Sequence, residues 1–85
     1  MTGNLFWTET VQDPLRFSGK QGFVAVAKND GRYKRWIVTS NIDEPSAIAV
    51  DPEDGLIFWA DAGNIPKIEK AWMDGSRRRA IVTSR

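Results

Sequence analysis

The sequence predicts an all-β fold built from repeated four-stranded antiparallel sheets. One segment of the chain occurs twice, both copies divide into short apolar runs, and turn residues separate these runs. Residues 23–40 read FVAVAKNDGRYKRWIVTS and residues 67–84 read KIEKAWMDGSRRRAIVTS, so the second copy follows the first by 44 residues. Repeats of this length are typical of arrays in which each unit packs on its neighbour.

A matching segment stands ahead of each copy. Residues 3–9 read GNLFWTE and residues 55–61 read GLIFWAD, which are 52 residues apart. The first copy therefore carries eight extra residues between its two segments. We assign this insertion to residues 11–22, VQDPLRFSGKQG, whose composition predicts a surface loop.

The apolar runs and the turns between them define the strands of each copy. In the first copy, strands are predicted at residues 4–9, 23–29 and 35–40; in the second, at 46–51, 56–61, 67–73 and 79–84. Pro52 and Gly55 suit a tight turn, and Asp74-Gly75 is the dipeptide that best fits a short hairpin. We expect a partial unit of three strands at residues 1–40, without its innermost strand, and a complete unit at 41–85.

The strands of the complete unit differ in their expected burial. Residues 56–60, LIFWA, show no polar alternation, so both faces of that strand should be covered by protein. Residues 46–50, SAIAV, are apolar but small, as a strand near a crowded axis would be. The last strand follows three arginines, which suits a charged outer edge. Such sheets are the blades of a β-propeller, which closes with about four to eight blades.

Several of these segments resemble the YWTD repeat, the class B repeat of the low-density lipoprotein receptor and receptor-related protein family. They are PSAIAVD at 45–51, FWAD at 58–61, KIEKA at 67–71 and MDGS at 73–76, with FWTE at 6–9 and NDG at 29–31 in the first copy. The resemblance implies about two blades of a six-bladed propeller, the first lacking its innermost strand. The structural motif positions that it identifies are Phe6, Trp7, Phe58, Trp59, Asp61, Asp74 and Gly75.

The same resemblance implies a non-enzymatic extracellular segment of an endocytic or signalling receptor that crosses the membrane once. Such a segment would contribute to the binding or release of protein ligands. Its other partners would be further blades and modules like epidermal growth factor in the parent chain. The alternative is a structural, self-associating fragment with no ligand of its own, because exposed strands at both ends are templates for association.

Composition limits the other classes of function. Twelve basic and eleven acidic residues give a net charge of +1, which does not favour a nucleic-acid partner. No apolar run approaches the roughly 18 residues of a membrane span, and the N-terminus lacks the pattern of a signal peptide, so we expect a segment of a longer protein with no membrane insertion of its own.

Cysteine and histidine are both absent, which removes the commonest catalytic pairs and the nitrogen and sulfur metal ligands. We therefore predict no catalytic residue, cofactor or metal, and no imidazole that could act as a pH switch. Asp51, Glu53, Asp54 and Asp61 could together bind a hard cation. Roles in turn geometry are the favoured interpretation of these carboxylates.

Tryptophans and arginines are the candidates for protein binding. Trp7 and Trp59 occupy equivalent positions and are predicted to pack between blades. Trp36 and Trp72 could either pack or make exposed contacts, since tryptophan is enriched at binding hot spots. Two aligned basic clusters could either protect a solvated rim or bind acidic partners such as calcium-binding ligand repeats and sulfated glycans. Their members are Arg32, Lys34, Arg35, Arg77, Arg78 and Arg79.

Overall fold

The computed structural model describes residues 4–17, 19–63 and 65–83, and every regular element in these ranges is a β-strand. The strands are β1 (Asn4–Gln12), β2 (Lys20–Lys28), β3 (Arg35–Val38), β4 (Pro45–Asp51), β5 (Leu56–Asp61), β6 (Lys67–Trp72) and β7 (Arg79–Thr83). In this part of the chain no helix is long and apolar enough to cross a membrane. The seven strands are those predicted from the sequence; β5 has the predicted ends, and the other strands have different ones.

The strands form two antiparallel sheets that follow the chain in order. The first sheet has the order β1-β2-β3 and the second the order β4-β5-β6-β7. Within each sheet, every strand pairs with the next through an antiparallel connection. The chain crosses from one sheet to the other between β3 and β4. The first sheet has three strands and the second has four, which are the numbers expected from the repeat.

The insertion in the first copy is largely a hairpin extension, and its prediction as a loop over residues 11–22 was wrong at both ends. Val11 pairs with Gln21 and Gln12 pairs with Lys20, so only residues 13–19 connect the two strands. The amide of Asp13 donates to the carbonyl of Gly19 at 2.8 Å and closes this connection. The polar composition of the segment concealed its strands because both faces of a protruding hairpin are wet.

The connection after β6 spans residues 73–78, one residue more than the strands predicted at 67–73 and 79–84 leave between them. The amide of Trp72 donates to the carbonyl of Ser76 at 2.9 Å, and the amide of Ser76 donates to the Asp74 carboxylate at 2.9 Å. The side chain of Asp74 thus supplies an acceptor that a two-residue turn would not use, and the turn widens. Asp30 forms the same arrangement with the amide of Arg32 in the first sheet.

The core lies between the two sheets. The face of each sheet that points toward the other is called its inner face here, and the opposite face its outer face. Val24 and Val38 come from the inner face of the first sheet, and Ile57, Trp59 and Ala71 come from that of the second. Ile42, in the connection between the sheets, is fully buried among them.

The two signature tryptophans have different environments. Trp59 lies on the inner face of the second sheet and is buried, as predicted. Trp7 lies on the outer face of the first sheet and is only half-buried, so its prediction as a residue buried between sheets is not met by the two sheets described. The repeat places these residues on corresponding faces, but only one of those faces has a neighbour in this structure.

Candidate protein-binding surfaces

Asp61 anchors the connection between the sheets. Its carboxylate accepts hydrogen bonds from the amides of Asp43, Glu44 and Gly63, each at 2.9 Å. Asp51 accepts from the amide of Asp54 at 3.3 Å, within the β4–β5 turn. Asp51 therefore serves the geometry of its own turn, whereas Asp61 binds the backbone of the β3–β4 connection. Turn roles for Glu53 and Asp54 stay predictions. The described residues include no group of three or more potential metal-binding side chains.

Arg78 connects the second sheet to the first. Its guanidinium donates to both carboxylate oxygens of Glu69, at 2.8 and 2.9 Å, and to the carbonyl oxygens of Ser40 and Asn41, at 2.5 and 2.8 Å. It also lies 5.5 Å from the centre of the Trp59 ring. Arg78, Glu69 and these carbonyls, together with Lys67, are called the inter-sheet network below.

The network keeps Glu69 ionised although its side chain is buried. Burial raises the pKa of Glu69, but hydrogen bonds from Arg78 and Lys67 and the attraction of their charges outweigh burial. The pKa consequently lies below its ordinary value. The ammonium of Lys67 contributes an ion pair of 3.1 Å to Glu69 and a hydrogen bond of 2.8 Å to the carbonyl of Asn41. The network stabilises the junction between the sheets, which is a structural role.

Lys34 occupies in the first sheet the position that Arg78 occupies in the second. Its ammonium lies 3.2 Å from the Glu9 carboxylate and 5.8 and 5.5 Å from the ring centres of Trp7 and Trp36. Glu9 also accepts from the indole N–H groups of Trp7 at 2.7 Å and Trp36 at 3.2 Å. These contacts hold the pKa of Glu9 below its ordinary value, and the hydrogen bond from Trp7 makes the largest contribution.

The remaining basic candidates have separate environments. Arg32 pairs with Asp30 at 2.7 Å inside its own turn and lies 5.6 Å from the centre of the Tyr33 ring. Arg35, Arg77 and Arg79 are exposed. Because Lys34 and Arg78 turn onto the faces of their sheets, the six cations do not form one continuous solvated rim.

Trp36 and Trp72 are both partly exposed, on the outer faces of different sheets. Trp36 stacks on Phe23, with ring centres 5.1 Å apart and planes inclined by 25°. Trp72 pairs with Leu56 at the end of β6, and its ring borders Gly55. The two tryptophans thus belong to two surfaces rather than to one shared site.

A groove that sequence reasoning missed lies where the β1–β2, β3–β4 and β5–β6 connections meet. It has a volume of about 560 Å³, and its lining includes Arg16, Asp43, Ile65, Lys67, Arg78 and Arg79. The guanidinium of Arg16 donates to Asp43 at 2.6 Å and to the side-chain carbonyl of Gln21 at 2.5 Å, which ties the long hairpin to the groove. Leu15 and Phe17, beside Arg16 in sequence, are almost fully exposed. This surface is called the loop-end groove.

The comparison with protein families agrees with this geometry. The family model of the low-density lipoprotein receptor repeat class B matches residues 55–85, which contain β5, β6 and β7. The chain carries low-density lipoprotein receptor class B repeats. The first copy adds the same signature segment, FWTE, at residues 6–9.

Two proteins similar in sequence to this chain have receptor names: one is called a receptor and the other a receptor-related protein-like protein. The vitellogenin receptor Yl of Drosophila melanogaster is 47% identical over 60 residues, which are 71% of this chain and 3% of that receptor. A human low-density lipoprotein receptor-related protein 5-like protein is 33% identical over 81 residues, covering 95% of this chain and 29% of that protein. This chain therefore spans less than a third of either relative.

A solved structure establishes the arrangement of the sheets. A chain in the crystal structure of a nidogen/laminin complex matches 95% of this chain with a TM-score of 0.74 and 30% sequence identity, over 28% of its own length. The two sheets are accordingly blades of a YWTD β-propeller, the first with three strands and the second with four. The expected all-β propeller class is confirmed.

Proposed function

We propose that this chain is an extracellular propeller segment of a low-density lipoprotein receptor-related endocytic or signalling receptor, and that it contributes to the binding or release of protein ligands without catalysing a reaction. The observation that carries the proposal is the match to class B repeats together with the receptor names of both relatives. In the parent protein, its partners are further blades and modules like epidermal growth factor, and the receptor crosses the membrane once.

The loop-end groove is the surface that we propose for ligand contact. It combines exposed apolar side chains with an exposed cation, and such mixed surfaces are typical of protein interfaces. Ile65 and Arg79 line the groove and would supply an apolar contact and a cation. Phe17, which is exposed on the neighbouring hairpin, would add a second apolar contact. A ligand segment that pairs an apolar side chain with a carboxylate would match this chemistry.

The connections around the groove are held in place before any ligand arrives. Arg16 joins the hairpin to Asp43, and Asp61 joins the β3–β4 connection to the β5–β6 connection. A surface held in this way loses little conformational entropy on binding. Arg78 is a positioning residue in this proposal, because its hydrogen bonds are used within the inter-sheet network.

Trp36, Trp72 and the other cations of the aligned clusters remain candidates for secondary contacts. Trp72 lies on the outer face of the second sheet, and Arg32, Arg35 and Arg77 lie in or beside the turns at the end opposite the loop-end groove. An acidic or sulfated partner would bind there through Arg35 and Arg77, whose guanidinium groups are exposed. Arg32 is a weaker candidate because Asp30 already pairs with it.

The names of the relatives provide two protein probes, vitellogenin and laminin. With the purified chain immobilised for surface plasmon resonance, we expect saturable binding to at least one of them. Arg79→Glu and Phe17→Ser should each weaken that binding about tenfold or more, which corresponds to about 1.4 kcal/mol. Lys28→Glu, which changes an exposed cation at the end of β2 and outside the groove, is the matched control and should leave it unchanged.

Two results would contradict the proposal. A folded chain that binds neither probe would remove the assigned ligand class. Equal losses in Arg79→Glu and Lys28→Glu would remove the loop-end groove as the binding surface and indicate attraction by overall charge.

A further inference from the structure

A second cleft lies between the two blades, at the end of the molecule opposite the loop-end groove. It has a volume of about 450 Å³, and the β2–β3 and β6–β7 turns border it. The blades that form it pack on each other within this chain, so the cleft does not use the outer faces that further blades would cover. It is called the turn-end cleft. Its lining includes Phe6, Val26, Lys28 and Arg35 of the first blade and Met73 and Asp74 of the second.

The strand register places two cations on one wall of the turn-end cleft. Val26 pairs with Arg35 across β2 and β3, and Lys28 follows Val26 by two residues in β2. Side chains at such positions point to the same side of a sheet. Because Val26 is buried on the inner face, Lys28 and Arg35 extend that face beyond the core. Within the described residues neither cation has an ion pair or a side-chain hydrogen bond.

The β6–β7 turn fixes the opposite wall. Gly75 lies so close to the backbone carbonyl of Ile37 in β3 that a methyl group there would overlap it. Met73, which packs against the core, and Asp74 therefore border the cleft next to the first blade. Hydrogen bonds from Ser76 are the main cause of the lowered pKa of Asp74, and the charge of Arg35 contributes. Asp74 is consequently ionised at neutral pH.

The lining combines apolar surface with a net charge of +1, because the carboxylate of Asp74 offsets one of the two cations. Phe6, Val26 and Met73 supply the apolar part. The ring of Tyr33, which is 74% exposed, adds an aromatic surface at the rim. Ligand sites of this size are typically apolar with a few polar groups that fix orientation. A matching ligand has a flat apolar body and a single negative charge.

We propose that the turn-end cleft binds the side chain of a tyrosine O-sulfate in a protein partner. The aromatic ring contacts the apolar lining, and the sulfate accepts hydrogen bonds from Arg35 and Lys28. An acidic side chain would satisfy the cations but leave the apolar lining uncovered. A sulfated glycan would bring several negative charges to a lining whose net charge is +1.

The inference rests on the proposed function in one respect. Tyrosine O-sulfate is a modification of secreted and cell-surface proteins, so the cleft meets it only if this chain is extracellular. The inference names the group that a sulfated partner would place beside Arg35, and it uses a surface separate from the loop-end groove. The two sites can therefore be tested with different probes.

Titration of the purified chain with N-acetyl-tyrosine O-sulfate methylamide, followed by NMR of the backbone amides, tests the proposal. We expect saturable shifts at Lys28, Arg35 and Gly75. The same compound without the sulfate should bind about tenfold more weakly or worse, which corresponds to about 1.4 kcal/mol. The O-phosphate, with a charge of about −1.5 to −2 at pH 7, should bind no more tightly than the sulfate because its charge exceeds that of the lining.

Substitutions of opposite sign separate binding from a structural role. Lys28→Gln and Arg35→Gln should each weaken binding of the sulfate about tenfold. Arg79→Gln removes an exposed cation of the loop-end groove, is the matched control and should leave the binding unchanged. Asp74→Asn should strengthen it about threefold, because it removes the opposing charge and keeps an oxygen that accepts from the amide of Ser76.

The NMR spectra also establish that each variant is folded. If Arg35→Gln is not folded, Arg35→Lys replaces it. That variant keeps the charge and loses the planar donor fork, so it should weaken the binding about threefold.

The inference is overturned if the sulfated and unsulfated compounds bind equally, or if Arg35→Gln and Arg79→Gln lose equal affinity. Tighter binding of the O-phosphate or of a heparin fragment at the same amides would assign the cleft to another ligand. Binding of laminin or vitellogenin without binding of the sulfate would reject this inference and leave the proposed function standing. Binding of the sulfate without either protein would support the inference and reject the ligand class of the loop-end groove.

Discussion

The single side chain of Arg78 joins three parts of the molecule. Its guanidinium contacts Glu69 in β6, two carbonyls of the β3–β4 connection and the ring of Trp59 in β5. Sequence alignment placed Arg78 in a basic cluster but did not show that it points inward. The backbone gives the reason, because Arg77 before it and Tyr33 before Lys34 both have positive φ, which redirects the chain at the same point of each repeat.

Arg78→Ala should lower the free energy of unfolding by about 2 kcal/mol, because it removes several charged hydrogen bonds and leaves Glu69 buried with fewer partners. Arg77→Ala, at the neighbouring exposed position, should change stability by less than about 0.5 kcal/mol. Urea denaturation of both variants measures the difference. Equal effects would show that the inter-sheet network does not contribute to stability.

The lowered pKa of Glu69 predicts how stability depends on pH. In the unfolded chain the carboxyl titrates near its ordinary pKa, and in the folded protein its pKa lies below that value. The resulting stabilisation is complete above the unfolded pKa and is lost as the pH falls through the folded pKa. Urea midpoints should be nearly constant from pH 7.5 to 5.5, since the chain has no histidine, and should decrease below about pH 4.5.

Glu69→Gln provides the control for this pH dependence. The variant should be less stable than the unmodified chain at pH 7, and the difference should shrink toward pH 3, because the protonated fraction of Glu69 rises as the pH falls. A difference that stays the same at both pH values would assign the acid sensitivity to other carboxylates.

At the scale of elements, all seven strands follow from the alternation of apolar runs and turn residues. The errors lie in the connections. The insertion forms a longer hairpin because cross-strand pairing continues through polar residues, and residues 73–78 form a wide turn because Asp74 accepts a backbone hydrogen bond. Neither feature has an apolar pattern, so periodicity could not reveal it. The same limitation concealed the loop-end groove, which three separate connections form.

Two equivalent turn glycines provide a matched pair of substitutions. Gly31 and Gly75 have φ of 87° and 88°, so alanine is strained at both positions. A methyl group at Gly31 would enter open space, whereas one at Gly75 would overlap the backbone carbonyl oxygen of Ile37 in the neighbouring blade. Gly75→Ala should therefore be less stable than Gly31→Ala by about 1–3 kcal/mol in thermal or urea denaturation. Equal losses would show that the turn does not pack against β3.

At the scale of the whole molecule, the repeat predicted the all-β architecture and the order of its segments indicated the class B repeat. The repeat could not show which equivalent residues are covered. Trp7 and Trp59 have the same sequence context, and only Trp59 has a neighbouring sheet packed over it. Burial of equivalent positions is decided by the neighbour of each face, which is a property of the assembly rather than of the repeat.

The two blades share one core between their inner faces and should therefore open as one cooperative unit. Amide hydrogen exchange measures this, because units that open together share one free energy of opening. The central amides of β2, β5 and β6, at Val24, Trp59 and Ala71, should have matching high protection, and Arg78→Ala should reduce all three equally. Protection confined to the second blade, or different free energies of opening for the two blades, would show that the blades open independently.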